Sequence, residues 1–121
     1  MPIVISGEID LDPAAREKAL LDAQPLIAAA LAEKGCVHYA WTVDPAKPGR
    51  VHVFEEWETE ADLAAHLSDQ PYFRMAGHLA AVGIKNAVTR KYRVDVIEPV
   101  YDPDGKPRAD FFTAKLKEPT R

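Results

Sequence analysis

Four short stretches of the chain are rich in β-branched and aromatic residues, and this composition predicts strands at residues 2–9, 36–44, 50–58 and 87–98. In the second stretch the apolar side chains stand at alternate positions, as they do on one face of a strand. A proline- and glycine-rich cluster separates the second stretch from the third, so we expect these two strands to form an antiparallel hairpin.

One helical region is predicted between the first two strands, because apolar residues at positions 20–31 fall on one stripe at helical spacing. Asp12 followed by Pro13 is typical of an N-cap and a first helical position. Glu33 is predicted on the polar side of this helix. Pro25 lies inside the helix, so we expect either a kink there or a second helix that begins at this residue.

The next helical region divides into two pieces. Thr59 with Asp62 three residues later resembles a capping box, which predicts a short helix to about Leu67. Pro71 opens a further helix that ends near Gly83. The order is therefore βαββαβ with the second α divided, which is the pattern of a ferredoxin-like α+β fold with an antiparallel sheet and helices on one face.

Both faces of the predicted sheet carry apolar side chains, although the helices cover only one of them. In the third strand Val51 and Val53 share one face, and Phe54 lies on the other. Monomeric proteins seldom expose a large apolar patch. We therefore expect a second copy of the chain to cover the free face, which makes the protein a homodimer.

The 121-residue chain is expected to contain one domain, at residues 1–98, followed by an extension at 99–121. The extension is rich in proline and charged residues and then carries Phe111, Phe112 and Leu116. Because it is too short to form a domain, we expect it to dock on its own body or on a partner subunit.

Charge and cysteine content narrow the classes of function. The net charge of −4 argues against nucleic acid as a partner. The single cysteine, Cys36, excludes an intramolecular disulfide, suits a reducing compartment and is best explained as a structural thiol. The N-terminus lacks the basic region of a signal peptide, and no apolar run approaches the roughly 20 residues of a membrane span. We therefore expect a cytoplasmic protein without nucleic-acid or membrane partners.

Several short motifs carry a resemblance to a known family. They are Gly35-Cys36-Val37 with Tyr39, Glu55-x-Trp57, Ala65-His66 and Pro71-x-Phe73. Over about residues 2–98 this pattern resembles the antibiotic biosynthesis monooxygenase family of dimeric α/β barrels. Members of that family include enzymes that oxidise phenolic or quinol-like aromatics with dioxygen and without bound flavin or metal. The resemblance thus implies a small aromatic substrate, dioxygen, a homodimer and no cofactor.

A cofactor-free oxygenase of this kind needs an apolar pocket, a base, and a donor for the developing oxyanion. His66 is the candidate base, and Arg90 or Tyr72 is the candidate oxyanion donor. Many relatives have a histidine in place of Tyr72, so the part of this position in proton transfer is open here. The candidate substrate-binding residues are Trp57, Phe73 and Glu55. Each candidate also has an ordinary structural explanation, as a core, ion-paired or solvated side chain.

Two other functions remain open. A non-catalytic dimeric domain would bind a small hydrophobic ligand in a stress or regulatory role, and side chains that fill the cleft would favour it. A haem-degrading monooxygenase is disfavoured, because a step of 100° per residue turns His78 towards solvent. His38 and His52 lack the spacing of metal ligands, so no metal site is expected.

Overall fold

The computed structural model describes residues 1–113. Four strands and four helices follow the predicted βαββαβ order, with each helical region divided in two. They are β1 (Ile3–Leu11), α1 (Arg16–Asp22), α2 (Gln24–Leu31), β2 (Cys36–Val43), β3 (Arg50–Trp57), α3 (Glu60–Leu67), α4 (Gln70–Val82) and β4 (Ile84–Arg93).

The strands form one antiparallel sheet in the order β2-β3-β1-β4, which confirms the ferredoxin-like α+β fold. In the central strand β1, alternate residues face the helices, and Ile3, Ile9 and Leu11 are buried there. Val51 and Val53 of β3 lie on the same inner face and are also buried. This alternation follows from the strand period of two, and it sets which side chains can reach a site under the helices.

The first helical region is two helices, as the second of the two alternatives predicted. Pro25 lies in the first turn of α2, where its missing N–H costs no helical hydrogen bond. Since α2 ends at Leu31, Glu33 lies in the turn that leads to β2, and its predicted place on the polar side of a helix was wrong. The capping interaction before α3 is confirmed, because the Thr59 hydroxyl accepts a hydrogen bond from the Asp62 backbone N–H at 3.0 Å.

The bounds of β4 and the buried face of α4 also differ from the predictions. β4 spans residues 84–93 rather than 87–98, because its register against β1 pairs Leu11 with Ile84 and Ile3 with Arg93. In α4 the buried residues are Met75 and Leu79. His78 packs towards α1 instead of solvent, with Nε2 2.8 Å from the carbonyl oxygen of Ala19, so the predicted orientation was wrong.

Residues 99–113 of the extension fold into turns. The Arg108 N–H donates to the Val100 carbonyl at 2.8 Å, and the Arg108 guanidinium lies 3.2 Å from Asp102. The Glu98 carboxylate accepts the backbone N–H of Thr113 at 2.9 Å. The described part leaves Phe111 66% exposed, and docking of the extension stays a prediction. Leu116 lies outside the described residues. None of the helices in residues 1–113 combines the length and apolar character needed to cross a membrane.

Candidate functional site

A cavity of about 310 Å³ lies between the inner face of the sheet and helices α3 and α4. Its walls are mainly apolar, and four side chains give one part of it a polar character. The apolar lining includes Ile5, Ile9, Val53, Met75, Leu79 and Ile84, and the polar group is Tyr39, Glu55, His66 and Tyr72. A mainly apolar cavity with a few convergent polar groups is the usual form of a small-molecule site.

The imidazole ring of His66, which lines the cavity, is held in place by contacts on its face and on its edge. Only 2% of the surface of His66 is exposed. The indole of Trp57 stacks on the imidazole, with ring centroids 4.5 Å apart. On the ring edge, Nδ1 lies 2.6 Å from Oε1 of Glu33. Because an ionised carboxylate can only accept hydrogen bonds, His66 donates its Nδ1–H, and Nε2 of the neutral ring then carries a lone pair.

The lone pair of His66 lies on the side of Glu55, which also lines the cavity. Nε2 is 3.9 Å from Oε1 of Glu55, a separation too long for a hydrogen bond. A ligand oxygen about 2.8 Å from each group fits between them. A hydroxyl there has a single proton, so it donates either to Nε2 of His66 or to the Glu55 carboxylate, because both are acceptors.

The Glu55 carboxylate is buried among few donors. Trp57 Nε1–H donates to its Oε1 at 3.0 Å. Burial raises the pKa of Glu55 above its ordinary value. The hydrogen bond from Trp57 offsets part of that rise, and so does His66 when its imidazole is protonated. Glu55 is therefore a polar wall residue whose charge is only partly compensated.

Tyr39 and Trp41 complete the polar part of the cavity from β2. Burial raises the pKa of Tyr39 to about 12, so its hydroxyl keeps its proton at neutral pH and can donate a hydrogen bond. Its ring meets the His66 ring edge-on, with centroids 5.8 Å apart. Trp41 Nε1–H is buried without a hydrogen bond of standard geometry, and its proximity to the Tyr39 hydroxyl offsets part of the rise in that pKa.

Three of the predicted site residues, Glu55, His66 and Tyr72, come together at the cavity. Tyr72 is 39% exposed, and its ring meets His66 edge-on with centroids 5.8 Å apart. Trp57 is fully buried behind His66 and supports the imidazole instead of forming the cavity wall.

The placement of two other candidates in the site was wrong. Arg90 pairs with Ser6 of β1, and this register puts its side chain on the outer face of the sheet. Its neighbour Thr89 lines the cavity instead. Phe73 is 52% exposed and contacts the ring of Tyr72 without lining the cavity, because α4 turns Met75 towards the sheet.

Sequence reasoning missed Glu33 and Tyr39 as site residues. The alternation of β2 was a usable signal for Tyr39, since it puts this residue on the same inner face as its partner Glu55 in β3. No local signal identifies Glu33, because its contact with His66 joins positions 33 residues apart.

Two further features concern the single thiol and possible metal ligands. Burial raises the pKa of Cys36 to about 11, so this residue is a protonated thiol at neutral pH, in keeping with a structural role. Within residues 1–113, no three or more histidine, cysteine, aspartate or glutamate side chains are grouped so as to hold a metal ion.

Residues 2–77 match the model of the antibiotic biosynthesis monooxygenase family, and the chain belongs to this family. An uncharacterised protein of Synechocystis is 32% identical over 72 residues, which cover 60% of this chain and 48% of that protein. The chain thus matches about half the length of this curated relative.

Solved structures with the same fold come from several organisms. A conserved protein of Methanosarcina mazei has a TM-score of 0.70 and 22% identity over 77% of this chain and 92% of its own. A Deinococcus radiodurans protein, provisionally named an antibiotic biosynthesis monooxygenase, has a TM-score of 0.70 and 16% identity over 83% and 99%. A Bacteroides thetaiotaomicron protein, named a possible oxidoreductase, has a TM-score of 0.67 and 23% identity over 75% and 95%. At these identities the likeness concerns the fold.

Proposed function

We propose that this protein is a cofactor-independent monooxygenase, which oxidises a phenolic, quinol or polyketide-like aromatic with dioxygen in the cavity beside His66. The single observation that carries the proposal is the pair formed by Glu33 and His66, because it fixes a base at the wall of an apolar cavity. The family to which the chain belongs and the names of the fold relatives support an oxidoreductase.

The first step is removal of a proton from the substrate. A ring hydroxyl placed between His66 and Glu55 donates its proton to Nε2 of His66, and Glu33 stabilises the imidazolium that results. Tyr39, which keeps its proton, is the donor available to the phenolate oxygen or to an oxyanion that forms later. Tyr72 closes the side of the cavity that is nearest solvent.

The deprotonated ring supplies the electrons for the reduction of dioxygen. For a substrate whose ring hydroxyl is the enol of a CH₂ ketone, loss of that hydroxyl proton gives a phenolate with carbanion character at the former CH₂ carbon, and this carbon bonds to one oxygen atom to form a hydroperoxide after protonation. Loss of the second C–H proton with cleavage of the O–O bond leaves a carbonyl and releases water. CH₂ and O₂ thus become C=O and H₂O, and the substrate provides all four electrons.

The state of the cleft bears on the rival function, a non-catalytic ligand-binding domain. That function would be favoured by side chains that fill the cleft. His66 and Tyr72 instead border an open cavity of about 310 Å³, near the lower end of the range for ligand pockets. Trp57, by contrast, is packed as core. An open cavity beside an oriented base favours catalysis.

The proposed enzyme is a cytoplasmic homodimer, in which two sheets meet through their outer faces. Support comes from large apolar side chains exposed on that face, where Phe54, Val88 and Tyr92 are 43%, 42% and 48% exposed. The pairing of β1 with β3 and β4 places all three on one surface. A second copy would remove this apolar area from water.

The proposal is tested by oxygen uptake of the chelator-treated protein with dihydroxynaphthalenes and anthrone-like phenols. We expect saturable uptake that falls at least tenfold in His66→Ala, since a positioned general base contributes roughly 10²-fold or more. His78→Ala is the matched control, because it removes a histidine that bonds to a helix backbone away from the cavity. Uptake equal to the buffer rate throughout, or equal in wild type and His66→Ala, would contradict the proposal.

A further inference from the structure

A second groove of about 460 Å³ adjoins the cavity, and Leu67 lines both of them. Their floor is continuous along two neighbouring strands. In β1 the floor passes from Ile5 in the cavity to Ile3 in the groove, and in β4 it passes from Thr89 to Lys91. Residues two apart on a strand share a face and lie about 7 Å apart. A ligand that extends out of the cavity along this floor therefore meets Lys91 first.

The charges along this groove favour an anion. Glu60 is paired with Arg93 at 3.1 Å at the exposed end of the groove. Lys91, in contrast, makes no ion pair or hydrogen bond with any residue that the structure describes, which leaves one positive charge in excess among the charged residues of the lining. The apolar floor next to it suits the carbon skeleton that would carry the anionic group.

Glu55 lies across the floor from Lys91, because the two residues pair with Ile5 from opposite sides. The charges on the Glu55 side fix the direction in which such a ligand binds. Glu55 and Glu33 lie on either side of His66, so a substituent that is already anionic on entry would meet two carboxylates beside a neutral imidazole. A phenolate formed there differs, because the proton it loses leaves an imidazolium next to it. A hydroxyl group suits that side, and a carboxylate suits the side with Lys91. The two sides thus separate the ligand into a proton-donating part and an anionic part.

We infer that the groove lined by Lys91 is a second subsite, and that the preferred substrate is a hydroxyaromatic ring carrying an anionic substituent such as a carboxylate. This inference rests on the proposed function for the choice of ring, and on the continuous floor and the uncompensated lysine for the subsite.

The test is a calorimetric binding experiment without oxygen, with two probes that differ only in the anionic group: 1,4-dihydroxy-2-naphthoate and 1,4-dihydroxynaphthalene. We expect the carboxylate probe to bind up to about fivefold more tightly at low ionic strength, as befits one exposed charge pair, and the difference to shrink with added salt. Lys91→Met should abolish the difference, which is measured as the ratio of the two affinities so that any change common to both probes cancels.

Lys85→Met is the matched control, because it removes the same charge from the same strand at a residue that lines a different surface pocket. Equal affinities of the two probes for wild type, or equal effects of the two lysine variants, would overturn the subsite. Binding discrimination without oxygen uptake would retain the subsite and contradict the oxidation. Oxygen uptake without discrimination between the probes would support the oxidation and contradict the subsite. A protein that binds neither probe would contradict both.

Discussion

Nδ1 of His66 lies 2.6 Å from the carboxylate of Glu33, although the two residues are 33 positions apart in the chain. Glu33 comes from the turn after α2, and His66 comes from the last turn of α3. The pair leaves Nε2 on the side of the cavity, where Oε1 of Glu55 lies 3.9 Å away. Most of the predicted chemistry depends on this one contact.

Glu33→Gln is expected to lower kcat about 10- to 100-fold with little change in KM, because the neutral amide neither fixes the imidazole tautomer nor stabilises the imidazolium. Steady-state oxygen uptake with a phenol that the wild type oxidises measures this effect. Glu58→Gln, which removes an exposed carboxylate after β3, is the control and should retain wild-type kcat. A Glu33→Gln protein with the kcat of the control would show that Glu33 does not orient the base.

Glu55→Gln is expected to stabilise the protein at neutral pH. Burial raises the pKa of Glu55, so the folded state binds its proton more tightly than the unfolded state does. The stability from this preference is fully present below the ordinary value of 4.5 and is lost as pH rises through the raised pKa. Glutamine can still accept from Trp57 and has no such dependence.

The measurement is urea unfolding of wild type and Glu55→Gln over a series of pH values. The advantage of the variant should grow as pH rises from 4.5 through the raised pKa, and then level off. Glu58→Gln should show no such trend. An advantage that is largest in acid would reverse the sign assigned to Glu55.

The strand and helix periods, together with the turn cluster and the capping residues, were sufficient to predict the sheet, the hairpin and the division of the second helical region. Element boundaries that depend on pairing with a distant strand were less predictable. The end of β4 is set by its register with β1, which no local pattern encodes. His78 was misplaced because the helical face was counted from Phe73, whereas the more apolar pair Met75 and Leu79 faces the core.

The residues of the site likewise divide into those that the sequence predicts and those that it does not. His66, Glu55 and Tyr72 were predictable, because each lies on a face that local periodicity defines. Arg90 was misplaced by one position, and a one-residue step on a strand moves a side chain to the opposite face. Glu33 was missed because only the tertiary fold brings the turn after α2 against α3.

Gly35→Ala is expected to destabilise the fold by about 2–5 kcal/mol. Gly35 has a φ of +77°, and a Cβ added there would overlap the Asp62 side chain, whose own Cβ would be 2.6 Å away. Gly77→Ala in α4 is the contrasting control, since a Cβ there meets nothing within 4 Å and alanine favours a helix by roughly 0.5–1 kcal/mol. Urea unfolding should give opposite signs for the two variants, and equal effects would contradict the predicted contact.

Phe54→Glu is expected to convert the proposed dimer into a monomer, because it places a charge in the centre of the exposed apolar face. Light scattering coupled to size exclusion measures the mass of each species. Leu21→Glu is the control, since Leu21 is 64% exposed on α1 and lies away from that sheet face. A wild-type protein that elutes as a monomer at all concentrations would contradict the sheet-to-sheet dimer.

The most direct test of His66 as an oriented base is the ¹⁵N NMR spectrum of its imidazole, recorded well above the ordinary histidine pKa of about 6.5. The protein should show the proton on Nδ1 in wild type, a mixture of tautomers in Glu33→Gln, and a change of the Nε2 signal when 1,4-dihydroxynaphthalene is added without oxygen. A proton on Nε2 in the wild type, or an Nε2 signal that the phenol leaves unchanged, would contradict the proposed role of His66.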